Sequence, residues 1–184
     1  MTKHTVDKTW TLFLDRDGVI NRDKIGDYIR NVSEFFFMDG VLESLKAFNG
    51  LFGTIVIVTN QKGVGKGLMS QQDLDDIHQF MVSQIEHAGG RIDKIYFCKD
   101  LSDESPNRKP NPGMAFQAKA DFPSIDFSKS IMVGNKMSDM QFGKSAGIAT
   151  TVFLATTNPE TPFPHALIDE RYESLEQFAA TVSN

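Results

Sequence analysis

Apolar and polar positions along this chain switch repeatedly between two periods. Trp10-Thr-Leu-Phe-Leu14 is a short apolar run that breaks into Asp15-Arg-Asp-Gly18, the pattern of a buried strand ending in a loop. Thr54-Ile-Val-Ile-Val58 is β-branched and almost wholly apolar, which predicts a strand covered on both faces. Residues 92–98, 130–133 and 150–154 read as three further strands. Helical spacing lies between them. Val41, Leu42, Leu45 and Phe48 recur every three or four positions. Ser70-Gln-Gln-Asp73 is a variant capping box that opens a helix with the stripe Leu74, Ile77, Met81, Ile85 and Ala88, stopped by Gly89-Gly90. Residues 112–120 form a helix with proline in its first turn. Residues 138–146 form another, ended by Gly147, and residues 175–182 a last one. Residues 21–39, the stretch around Gly63, Gly65 and Gly67, and residues 101–112 read as loops.

Strand and helix alternate from end to end. That order predicts an α/β fold, a three-layer Rossmann-like sandwich on a mainly parallel sheet with right-handed crossovers. Nothing suggests a linker or a repeat, so residues 1–184 read as a single domain. Ligands of such sheets bind beyond the carboxyl ends of the strands, so the residues following each strand carry the candidate chemistry.

Composition narrows the partners. Nineteen basic against twenty-four acidic side chains give a net charge of −5, which argues against a nucleic-acid or anionic-membrane surface but not against one cationic pocket for a small phosphorylated substrate. No apolar run reaches the length of a membrane span, and the polar start of the chain lacks the apolar core of a signal peptide. Cys98 is the one cysteine, so neither an intrachain disulfide nor a multi-cysteine zinc site can form. The expected setting is the cytoplasm.

Asp15 and Asp17 follow the first apolar strand, two residues apart and so on one side of extended chain. Carboxylates this close repel unless a cation sits between them. They either share a hard metal ion such as Mg²⁺, or divide the roles of ionised nucleophile and proton donor, or do both. A solvated acidic turn is the bland alternative. Thr59, Asn60 and Gln61 follow the second strand and lead into Lys62-Gly-Val-Gly-Lys-Gly67. A hydroxyl and backbone N–H groups there can cradle a phosphate, although Gly67 occupies the position where a nucleotide P-loop needs Ser or Thr. Arg108 and Lys109 lead into a helix N-terminus, where an anion is favoured. Asn135 and Asp139 supply oxygen donors after the fourth strand, and Asp139 also suits an early helical position.

These four segments, in this order, resemble the haloacid dehalogenase superfamily of phosphatases. The likeness runs from Leu12 to about Leu154: Phe13-Leu-Asp-Arg-Asp-Gly-Val-Ile-Asn21, Thr59-Asn-Gln61, Arg108-Lys-Pro-Asn-Pro-Gly113, and Val133-Gly-Asn-Lys-Met-Ser-Asp139 with Ala146-Gly147. The longer forms are similar to the histidinol-phosphate and heptose-bisphosphate phosphatase branch, closer to the heptose enzymes. The resemblance implies that Asp15 attacks phosphorus and that Asp17 protonates the leaving alcohol and then activates water. It implies that Thr59, Asn60 and Lys109 hold the phosphoryl group, and that Arg16, Asn21, Gln61 and Arg108 meet the substrate. Mg²⁺ would be held by Asp15, Asp17, Asn135 and Asp139. The implied substrate is a small sugar phosphate, first the 7-phosphate of D-glycero-D-manno-heptose 1,7-bisphosphate and alternatively histidinol phosphate. The partners expected are that substrate alone, with no nucleic acid or membrane and with the chain as a monomer.

The sequence departs from the family twice. Asn135 stands where the family usually has Asp, so a neutral amide replaces a charged donor. The stretch from Cys98 to Asn107 keeps one cysteine of the cysteine-and-histidine loop found in many heptose-branch members, so no zinc is expected. No large cap domain fits between the motifs. Residues 24–31 and 62–68 would then supply specificity. A phosphate-binding regulatory module with weak turnover is the competing reading, favoured by Asn135 alone.

Overall fold

The computed structural model describes residues 3–183. Its elements in chain order are β1 (His4–Thr5), β2 (Thr11–Leu14), α1 (Val41–Leu51), β3 (Thr54–Asn60), α2 (Lys62–Gly65), α3 (Gln71–His87), β4 (Lys94–Cys98), α4 (Gly113–Asp121), β5 (Ser130–Gly134), α5 (Met137–Ala146), β6 (Thr150–Leu154), β7 (Glu170–Tyr172), α6 (Leu175–Ala179) and β8 (Val182–Ser183). Six strands form one sheet in the order β4-β3-β2-β5-β6-β7, and every pairing in it is parallel.

The apolar strands are explained by burial on both faces. Along β2, β3 and β5, residues of one parity (Leu12, Leu14, Ile55, Ile57, Ile131, Val133) enter one core. Those of the other parity (Phe13, Val56, Val58, Met132) enter a second core. Leu45 and Phe48 of α1 and Leu74, Ile77, Met81 and Ile85 of α3 cover the first face. Met114, Ala115 and Ala118 of α4 and Phe142 and Ala146 of α5 cover the second. This gives the three layers expected of continuous apolar strands.

Ser70 and Asp73 form the full capping box at the start of α3. The glycine stretch, expected as loop, instead makes the short helix α2. Gly65 lets that turn close against the backbone carbonyl of Lys99, where a Cβ would collide. The terminal helix, expected over residues 175–182, ends at Ala179. The Thr181 hydroxyl bonds back to the Phe178 carbonyl at 2.7 Å, and the chain then pairs with its own N-terminal strand, Val182 opposite His4. Only long-range pairing selects that outcome, and local periodicity cannot show it. β7 escaped the sequence reading for the same reason.

From β2 the chain builds outward through β3 to β4, then returns to β5 on the other side of β2 and builds outward again. The crevice beside β2 and β5 is therefore the switch point of the sheet. Leu14 and Val133 are partners there, and the Asp15 N–H donates to the Val133 carbonyl at 3.0 Å. No helix among the described residues is long and apolar enough to cross a membrane.

Candidate active site

Asp15, Thr59, Lys109 and Asp139 come from four different segments and meet at that switch point, around a small cavity of about 40 Å³. Lys109 is the centre. Its ammonium donates to Asp15 Oδ1 at 2.8 Å and to the Val58 carbonyl at 2.8 Å. It also lies 2.6 Å from Asp139 Oδ1. All three side chains are buried. Burial pushes the Asp15 carboxyl up to about 6, against the pull of Lys109, and the neighbouring Asp139 and Asp17 charges raise it further. Burial works against the Lys109 charge, but Asp139 and Asp15 outweigh it and hold the ammonium's pKa above its ordinary value.

Asp17 is clamped from behind. Arg16 Nη2 donates to its Oδ1 at 2.8 Å and to its Oδ2 at 3.1 Å. Asn21 Nδ2 donates to Oδ1 at 2.9 Å and Gln61 Nε2 to Oδ2 at 3.0 Å. Burial alone would raise the Asp17 pKa, but the Arg16 guanidinium and the bonds from Asn21, Arg16 and Gln61 outweigh it and hold the carboxyl below the ordinary carboxylate range. The clamped group is thus a carboxylate, ready to accept a proton.

That clamp engages three residues expected to meet the substrate. Arg16 and Asn21 are fully buried and Gln61 is 1% exposed. Each donates to Asp17, while Arg16 also reaches His78, Asn21 also donates to the Arg22 carbonyl and Gln61 to Thr59 Oγ1. Two other residues are engaged as well. The Asn60 side chain makes a reciprocal pair with the backbone of Lys109, each bond 3.0 Å long, so the amide pins the lysine segment while Asn60 lines the cavity. Asp139, expected among the metal donors, has both oxygens engaged. Oδ1 takes Lys109, and Oδ2 accepts from the backbone N–H groups of Asn135 and Lys136 at 3.1 and 3.0 Å, which caps α5. Thr59 Oγ1 accepts from Gln61, leaving its own proton to donate into the cavity.

Asn135 is fully buried. Its Nδ2 donates to Thr157 Oγ1 at 2.8 Å, while its Oδ1 has no hydrogen-bond partner. Gly18, at a φ of 83°, passes so close that any side chain there would strike this amide. A buried, unpartnered carbonyl oxygen costs roughly 1–3 kcal/mol, and a hard cation is one partner that would satisfy it. Among the described residues no group of three or more His, Cys, Asp or Glu side chains is placed to hold a metal by itself. A donor set mixing one carboxylate with amide and backbone oxygens does fit Mg²⁺, which keeps several waters.

The small cavity shares Asn60, Lys109, Lys136 and Ser138 with an outer bowl of about 500 Å³ that is also lined by Tyr28, Lys62, Asp103 and Arg108. Arg108 donates through Nε to Asp103 at 2.8 Å, while its Nη1 has no partner. Lys136 lies 3.1 Å from Asp23 and borders both cavities. Burial opposes its charge, but Asp15 and Asp23 hold its pKa up. Sequence reasoning missed Lys136, which had a readable signal, lying between Asn135 and Asp139. Tyr28 lies in the 24–31 stretch expected to supply specificity, and the fold brings it to the bowl. Cys98 is buried, 3.9 Å from Ser105 Oγ.

A parallel sheet with a carboxylate pair beyond its central strand, a hydroxyl and a lysine beside them and an acidic cap opposite defines the haloacid dehalogenase class of phosphatases. Within that class the chain belongs to the polynucleotide kinase 3 phosphatase family, which it matches over residues 11–161. It is 40% identical over 155 residues to a Burkholderia mallei protein named D-glycero-alpha-D-manno-heptose-1,7-bisphosphate 7-phosphatase, with 80% of each chain covered. It is 36% identical over 172 residues to a Vibrio cholerae protein named for the beta form of that substrate, covering 89% of this chain and 91% of that one. The fold is similar to the crystal structure of a D,D-heptose 1.7-bisphosphate phosphatase from B. bronchiseptica complexed with magnesium and phosphate, with a TM-score of 0.81 and 27% identity over 93% of this chain and 96% of the other.

Proposed function

We propose that this phosphatase removes the 7-phosphate of D-glycero-D-manno-heptose 1,7-bisphosphate with Mg²⁺, in one domain that works as a cytoplasmic monomer without a large cap. The observation that carries this reading is the two-tier pocket. A phosphoryl-sized centre at Asp15 and Lys109 opens into a bowl where three further cations, Lys62, Arg108 and Lys136, outnumber the one lining carboxylate, Asp103, as a substrate with a second phosphate requires. The relatives' names point to the same substrate. The family's name refers to polynucleotides, but a chain of net charge −5 suits a small substrate better.

Mg²⁺, held by the Asp15 carboxylate, the Asp17 backbone carbonyl and Asn135 Oδ1, would supply positive charge beside the phosphoryl oxygens. Lys109 and the Thr59 hydroxyl orient those oxygens, and Lys109 also fixes Asp15 Oδ1. The free Asp15 oxygen attacks phosphorus as the bond to the sugar oxygen breaks, and Asp17 relays a proton from the phosphate monoanion to that oxygen. The products are the sugar monophosphate and an aspartyl-phosphate. Asp17, now a carboxylate in its clamp, takes a proton from water. The resulting hydroxide attacks phosphorus, and Asp15 leaves with phosphate released. Positioning and charge carry most of such a rate. Arg108 and Lys136 hold the second phosphate, with Tyr28 against the sugar.

The test is phosphate release from the α and β anomers of heptose 1,7-bisphosphate, histidinol phosphate and a 3′-phosphorylated oligonucleotide, with Asp15→Asn as control. A heptose anomer should give the highest kcat/KM, and the control should be inactive. Equal release by wild type and Asp15→Asn would refute the nucleophile, and preference for the oligonucleotide would refute the substrate.

A further inference from the structure

His78 is a buried histidine that the steps above do not use. It stands on α3, 8% exposed, inside the apolar stripe of Leu74, Ile77, Met81 and Ile85. Its Nε2 lies 3.3 Å from Arg16 Nη1. A guanidinium has donors and no acceptor, so Nε2 must be the acceptor, and the ring is neutral with its proton on Nδ1. Burial first and the Arg16 charge second hold the imidazole's pKa down to about 3, against the opposing pull of Asp17. The Phe97 ring, 5.9 Å away, closes one side.

Arg16 is therefore gripped at two edges. One edge meets Asp17 through Nε and Nη2, and the other meets His78. A fully buried guanidinium is tolerated only when its charge is paired and its N–H groups are bonded. Asp17 pairs the charge, and His78 supplies the acceptor on the far side. We propose that His78 is a positioning residue for this phosphatase: as the Nδ1–H tautomer it anchors Arg16, and Arg16 in turn fixes the plane of the Asp17 carboxylate for proton transfer. The proposal rests on the reading of Asp17 as the acid–base group. Loss of the anchor lets the guanidinium shift, and displacement of a proton-transfer group by about 1 Å can cost on the order of 100-fold in rate.

The experiment separates this role from general damage by changing the leaving group. An alkyl phosphate needs its leaving oxygen protonated, whereas p-nitrophenyl phosphate expels a stable phenolate and barely needs an acid. For His78→Leu, kcat/KM should fall roughly 10- to 100-fold on heptose 1,7-bisphosphate or histidinol phosphate and by less than about 3-fold on p-nitrophenyl phosphate. His78→Gln, whose amide oxygen can accept from Arg16, should recover most of the loss. Equal falls on both substrate types, or no fall, would overturn the proposal alone. Full alkyl-phosphate turnover by Asp17→Asn would overturn the acid–base assignment and the proposal with it. Should the leucine variant not fold, ¹⁵N NMR of the wild type decides. A pyridine-like Nε2 and a pyrrole-like Nδ1 are expected, and an imidazolium or an Nε2–H tautomer at neutral pH would overturn the anchor.

Discussion

The ammonium of Lys109 donates to Oδ1 of Asp15 at 2.8 Å, and the two side chains are 2% and 7% exposed. Burying this pair joins the stability of the fold to the chemistry of the site. Asp139 sits on the same ammonium at 2.6 Å, so one cation balances two carboxylates. Lys109→Met should leave both carboxylates uncompensated. In metal-free protein at neutral pH the expected loss is about 3–5 kcal/mol, the usual result of removing one partner from a buried pair. Urea denaturation measures it. Adding Asp139→Asn to the variant should recover part of the loss, and a loss below about 1 kcal/mol would show that water reaches the pair.

Asn135→Asp tests the orphaned oxygen. The variant places a charged donor where the neutral Oδ1 now has no partner, so Mg²⁺ affinity should rise by about 1–2 kcal/mol, or roughly 5- to 30-fold. Isothermal titration calorimetry reads this directly. Without metal the variant should be less stable, because a new buried carboxylate adds to Asp15 and Asp139. Unchanged affinity would mean that Asn135 faces something other than the cation.

Arg108 offers a separate handle on substrate choice. The residue lines the bowl, its buried Nη1 has no partner, and a charge-assisted bond from its guanidinium to a second phosphate is worth about 1.5–3 kcal/mol. Arg108→Ala should therefore lower kcat/KM on heptose 1,7-bisphosphate by roughly 10- to 100-fold and change it little on a sugar monophosphate. Equal losses on the two substrates would place Arg108 at the reacting phosphate instead.

Much of this site was legible in the sequence, because each motif directly follows an apolar strand and parallel strands bring such segments together. The strands at Leu12–Phe13 and Ile55–Val58 announced burial on both faces by having no polar alternation at all. Facing was what the sequence could not show. Arg16, between two aspartates, looks like an anion ligand, yet it turns inward because Asp17, Asn21 and Gln61 meet around one carboxylate. Asp139 looks like a metal donor, yet the start of α5 and Lys109 take both its oxygens. His78 carried one faint signal, a polar residue on a buried helical stripe. Its partner is 62 positions away, beyond any local pattern.

That distant contact contributes to the pH dependence of stability. The folded-state pKa of His78 is depressed to about 3 by burial and by Arg16, whereas an unfolded histidine titrates near 6.5. As pH falls below about 6.5 the unfolded chain takes up a proton that the folded chain refuses. The stability contributed by the neutral ring is complete above that pH and declines as pH falls toward 3. Between pH 7 and pH 5 the share of this ring is a loss of about 2 kcal/mol, opposed over the same interval by Asp15, whose raised pKa of about 6 makes the folded chain take up a proton. The carboxylates with depressed pKa values, Asp17 among them, lose their contribution only at lower pH. His78→Gln lacks this titration, so on going from pH 7 to pH 5 its unfolding free energy should change by about 2 kcal/mol in the stabilising direction relative to the change in wild type. Urea titrations of both proteins at pH 7 and pH 5, without metal, give the difference. Parallel changes in the two proteins would mean that His78 protonates in the folded state, and then it could not be accepting a hydrogen bond from Arg16.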